Sequence, residues 1–102
     1  MVFVVQNVNG KNVLGAKRFG EMQVLLPATA QVTLDSQSVV RLMRRKLADF
    51  SDRDYLLAIG DPAAIGIACG VAAARNNGKF KLLKWDRQER FYYAVSVNLT
   101  GS

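Results

Sequence analysis

Residues 55–60, YLLAIG, a short continuous apolar run, and 79–85, KFKLLKW, a basic apolar one, stand on either side of a segment marked as a helix at both ends. The continuous apolar run suits a strand buried on both faces, and KFKLLKW is the next strand. Gly60 turns the chain. Asp61 is a favoured N-cap, and Pro62 takes the first helical position, where its missing N–H costs nothing. Asn76, Asn77 and Gly78 supply a left-handed stop. Two strands joined by such a crossover pair in parallel, and the connection is right-handed. This βαβ unit restricts the fold more than any other stretch. It calls for an α/β domain whose sheet is covered by helices.

The flanking segments complete the expectation. The opening VFVVQNV is rich in β-branched residues, a strand signal. Asn9-Gly10 is a strong signal for a two-residue hairpin, with KNVLGAKRF as the returning arm. EMQVLLP reads as a further strand closed by Pro27, and ATAQVTL is extended and ambiguous. Asp35 or Ser36 caps a helix in which Val39, Val40, Met43, Leu47 and Phe50 fall in one arc. Arg41, Arg44, Arg45 and Ala48 fall in the opposite arc. At the other end, RFYYAVSVNL alternates cleanly and pairs antiparallel with the strand before it. The expected fold class is α/β: a single small domain over 1–102, with a mixed sheet of about five strands. It has an N-terminal hairpin, one βαβ unit, two helices and a C-terminal antiparallel hairpin, with 99–102 as a frayed tail.

Composition then limits the function. The 102 residues suit one domain, and 50% hydrophobic with 22% charged residues is globular. A single cysteine allows no internal disulfide, which fits a reducing compartment, and no secretory signal pattern opens the chain. A cytoplasmic location is expected, and the near-uncharged stretch 55–74 is not expected to span a membrane. Asp61 in mid-bilayer would cost about 2.5–3.5 kcal/mol, which a few alanines do not offset.

Catalysis has little support. With no histidine there is neither a histidine-based triad nor an imidazole metal site. Cys69 lies within a small-residue helix, where a cysteine is usually a small buried apolar residue. Asp52, Asp54, Asp61 and Asp86 could gather around a cation only if the fold brought them together. No cofactor and no catalytic residue is expected.

Charge points elsewhere. Fourteen Lys and Arg against eight Asp and Glu give a net charge of +6. A basic excess favours anionic partners, although some charge on a solvated helix face needs no partner. The expected polyanion-binding residues are Arg41, Arg44, Arg45, Arg53, Lys81, Lys84 and Arg87, with nucleic acid as the expected partner. Trp85, Tyr92 and Tyr93 lie among them and could stack bases, or could be core. An alternative is a small-anion or nucleotide site at Gly60 and Asp61, because ligands sit beyond the carboxyl ends of parallel strands and a helix N-terminus attracts anions. Against it, Asp61 is itself an anion there, and no further glycine lets a pyrophosphate approach. A third alternative is protein–protein interaction only.

The helix over 62–74 has no charged residue after its cap. Ala63, Gly66, Gly70 and Ala73 form one flat face, and Ala64, Ala68 and Ala72 the opposite one. A helix apolar all round must be covered all round. A homodimer is therefore expected, with Ala64, Ala68, Ala72, Gly66 and Gly70 in its interface.

The stretches DYLLAIGDPAAIG and KLLKWDRQERFYYAV resemble small proteins of unassigned function in tailed phages, particularly marine ones. The resemblance covers most of residues 21–99 and rests on Gly60-Asp61-Pro62 and on Leu83-Lys84-Trp85-Asp86-Arg87. It transfers no catalytic residue. It implies a virus-encoded protein acting in a bacterial cytoplasm, where host or phage nucleic acid and host or phage protein are the available partners.

Overall fold

The computed structural model describes residues 1–7 and 13–101. Five strands form one mixed sheet: β1 (Val2–Gln6), β2 (Met22–Leu26), β3 (Tyr55–Leu57), β4 (Lys79–Asp86) and β5 (Phe91–Asn98). Their order across the sheet is β2-β1-β3-β4-β5. The first four are mutually parallel, and β5 runs antiparallel to β4. Two α-helices, α1 (Ser36–Lys46) and α2 (Pro62–Arg75), and a 3-10 helix at Leu14–Phe19 complete the domain.

The fold is α/β with a mixed five-stranded sheet, a βαβ unit over β3-α2-β4 and a C-terminal antiparallel hairpin, as the sequence suggests. The amino-terminal part is corrected. Leu14–Phe19, expected in the returning arm of a hairpin, is a 3-10 helix, and β1 pairs in parallel with both neighbours. The turn expected at Asn9-Gly10 lies outside the described residues. The physical reason is that β1 is buried along its whole length. A strand covered on both faces belongs at the centre of a parallel sheet, which a local turn signal cannot overrule.

The chain moves from β1 outward to β2, then back across β1 to β3. Right-handed connections running in opposite directions must lie on opposite faces of the sheet. The two buried clusters show this. On one face α1 and α2 pack through Val39, Met43, Leu47, Ala64, Ala68 and Ala72 onto Phe3, Val5, Leu25 and Leu56. On the other face Ala16 of the 3-10 helix joins Val2, Val4, Leu57, Leu83 and Tyr92.

Local signals account for the helices. The Asp35 carboxylate accepts from the Ser38 N–H at 3.1 Å, and the Asp61 carboxylate from the Ala63 N–H at 2.8 Å. Asn77 and Gly78, both at positive φ, end α2, and the Gly78 N–H returns to the Ala73 carbonyl. Asp86 holds the β4–β5 turn by accepting from the N–H groups of Gln88 and Glu89.

Ala64, Ala68 and Ala72 are fully buried in the domain's own core, beneath α2. They are core residues and not available to a second copy, which corrects their assignment to an interface. Gly66 and Gly70 lie on the outer side, where an added Cβ would meet nothing within 4 Å.

Candidate functional site

Strand alternation decides which basic residues share a surface. Leu82 packs against the cluster under the helices, and Leu83 belongs to the opposite cluster. Lys84 therefore projects from the helix-bearing face and Lys81 from the other. Lys81 Nζ sits 4.2 Å from the centroid of the Tyr55 ring, a cation–π contact on that second face. Arg87 lies in the turn between β4 and β5, and Arg53 in the turn before β3. The expected set is thus divided. Arg41, Arg44 and Arg45 remain together, all exposed on α1.

The structure adds a residue to this group. Arg44 and Val40 of α1 and Ile67, Gly70, Val71, Ala74 and Arg75 of α2 line a shallow groove between the helices. Arg75 is the one charged residue of α2, 31 positions from Arg44 in sequence. Only the packing of α1 on α2 brings the two residues to one groove. The sequence carried the arginines but no local signal of their proximity.

Among the described residues Arg41, Arg44, Arg45 and Arg75 make no ion pair. Among the described residues the ion pair is that of the Met1 amino group with Asp54, at 3.1 Å. Arg41 donates to the Ser38 hydroxyl at 3.0 Å, and that hydroxyl donates in turn to Asp35 at 2.6 Å. The hydrogen bonds from Ser38, with Arg41 nearby, hold the Asp35 carboxyl below its ordinary value.

Gly60 and Asp61 occupy the place where strand order reverses, at the carboxyl ends of β1 and β3. That is the usual ligand crevice of an open α/β sheet. Here Gln6, a buried polar residue, reaches across it. Its Nε2 donates to the carbonyls of Pro27 and Ala30, each at 3.2 Å, and its Oε1 accepts from the Asp61 N–H at 2.8 Å. Gly60 has φ +120°, and a Cβ there would stand 2.4 Å from Gln6 Cβ, so glycine is required by both conformation and space. Sequence reasoning missed Gln6, because its partners lie 21 to 55 residues away.

The aromatics divide too. Tyr92 is buried, with burial raising its hydroxyl pKa, while Trp85 and Tyr93 are exposed. Cys69 is half-buried, and desolvation pushes its thiol up, away from the nucleophilic thiolate. No group of three or more Cys, Asp or Glu capable of holding a metal occurs among the described residues. Among them no helix is long and apolar enough to cross a membrane.

Residues 1–99 match the model of a family described as phage Pam3 gp32-like protein. The chain belongs to that family. This supports the phage resemblance drawn from Gly60-Asp61-Pro62 and Leu83–Arg87, and extends it from residues 21–99 to the first twenty residues. No curated protein and no solved structure matches the chain. On its described surface, this phage Pam3 gp32-like chain carries Arg41, Arg44, Arg45 and Arg75 on the helix layer.

Proposed function

We propose that the protein is a non-enzymatic interaction module that binds a polyanion, nucleic acid, through the helix layer. The observation that carries this reading is the grouping of Arg41, Arg44 and Arg45 on the exposed side of α1 with Arg75 at the shared groove, none of them in an ion pair among the described residues. Arginine forks bind phosphate oxygens in pairs, and counterion release supplies the free energy. Lys81, Lys84, Arg53 and Arg87 lie elsewhere on the surface and contribute to the general field of a +6 chain.

The test is binding of labelled duplex DNA, single-stranded DNA and RNA across a salt series. Log K should fall with log salt at about −0.9 per neutralised duplex phosphate. Replacing Arg44 and Arg75 together by Gln should reduce that slope by about two. An absence of binding to all three polymers at low salt contradicts the proposal.

A second reading is a small-anion or nucleotide site at Gly60 and Asp61. Its position at the switch point favours it. Gln6 and the Asp61 carboxylate already use two of the local N–H donors, which weakens it. A nucleotide bound there raises the melting temperature by mass action without a polymer. A thermal-shift series with mono-, di- and triphosphates that leaves Tm unchanged removes this reading.

A further inference from the structure

The two edges of the sheet are β2 and β5. An edge strand with free N–H and C=O groups invites another strand, and proteins usually guard such edges with short length, charge or cover. On β2, five residues long, Lys46 Nζ donates to the carbonyls of Val24 at 3.1 Å and Leu25 at 3.2 Å. On β5, eight residues long, the sequence FYYAVSVN has no charge.

The direction of the free groups on β5 follows from the ladder. The Leu99 N–H donates to the Gly78 carbonyl, so Leu99, Val97, Val95, Tyr93 and Phe91 turn their backbone groups toward β4. Tyr92, Ala94, Ser96 and Asn98 turn theirs outward. Arg18 donates to the outward Tyr92 carbonyl, which confirms the parity and blocks that end of the edge. Among the described residues nothing pairs with the outward backbone groups of Ala94, Ser96 and Asn98. Tyr93, Val95 and Leu99, on the face that carries the helices, are exposed at 36%, 36% and 66%. Exposed apolar side chains beside an open edge form the surface that strand addition buries.

We infer that β5 pairs antiparallel with β5 of a second copy of this chain, joining the two five-stranded sheets into one. Ser96 lies at the twofold axis, so Ala94 faces Asn98 of the partner copy. Val95 then meets Val97, and Tyr93 meets Leu99, each across the axis and on one face. This register uses the open stretch and stops short of the Arg18 block. A twofold contact needs a self-complementary surface, and an uncharged strand that matches apolar to apolar is one. The contact is small by the standard of stable complexes, so the dimer is expected at micromolar concentrations rather than lower. It differs from a contact through Gly66 and Gly70, which lie on the outer side of α2.

The test is sedimentation velocity across a concentration series, from low to high micromolar. The parent protein should pass from monomer to dimer. Ala94→Pro removes one outward N–H without touching the ladder to β4, a position an edge strand tolerates. It should stay monomeric with an unchanged circular dichroism spectrum. If that variant does not fold, Tyr93→Lys, an exposed side-chain change, takes its place and should weaken the dimer at least tenfold. Gly70→Glu should dimerise like the parent. A parent that remains monomeric at high micromolar concentration overturns the inference. So does a folded Ala94→Pro or Tyr93→Lys that dimerises like the parent, or a Gly70→Glu that abolishes the dimer.

Discussion

The two ends of the sheet obey different rules. At the β2 end, side chains from distant positions close off backbone groups: Lys46 takes the carbonyls of Val24 and Leu25, and Gln6 takes those of Pro27 and Ala30. At the β5 end, Arg18 takes the Tyr92 carbonyl, and among the described residues the outward backbone groups of Ala94, Ser96 and Asn98 stay open. Burial follows the same division. Leu25 and Leu26 lie beneath the helix layer, while most of β5 is exposed. A guarded edge completes a core. An unguarded one, longer and without charge, remains available for pairing. The lesson is that a basic helix face and an open edge strand coexist on one chain because they sit on different elements.

The sharpest way to break this comparison is to make the same kind of truncation at both ends. Leu25→Ala should cost about 2–4 kcal/mol in denaturant unfolding, because its side chain is fully buried. Val95→Ala should cost less than about 1 kcal/mol when measured on the monomer. Equal costs would mean that β5 is covered within the domain. Gln6→Leu comes next, at about 1–3 kcal/mol, since it leaves the Asp61 N–H and two carbonyls without their partner. That variant should also loosen the loop at Gly60, seen as faster amide exchange at Asp61.

Lys46→Ala has a smaller effect on stability, about 1 kcal/mol, but it bares the β2 edge. Light scattering should then detect larger assemblies than the dimer proposed for the parent, since each copy would have two open edges. The smallest effect concerns Asp35, which caps the helix that carries Lys46. Its folded-state pKa is lowered by its bonds from Ser38, so its contribution to stability is complete above the unfolded-state value. That contribution is lost as pH falls through the lowered one. Asp35→Asn should flatten the acid side of the stability–pH curve, read from urea unfolding at a series of pH values.

Much of the fold was legible because its signals are local. The caps at Asp35 and Asp61, the stop at Asn77-Gly78 and the alternation over 91–98 each involve residues within a few positions of one another. The amino terminus was misread for the same reason. Asn9-Gly10 is a local hairpin signal, whereas the parallel placement of β1 depends on burial by both layers. The site was less legible. Strand parity alone could have separated Lys81 from Lys84. The placement of Arg44 and Arg75 on one groove, the Gln6 bridge and the Lys46 guard each require two segments far apart in sequence, and no pattern in one stretch encodes them.

Residue-resolved amide exchange, at low and high micromolar concentration, compares the two edges in one experiment. Protection of the Ala94, Ser96 and Asn98 amides should rise with concentration, while that of Met22 and Val24 on the β2 edge should not change. Concentration-independent exchange at all five amides, or protection gained at β2 instead of β5, would contradict the account.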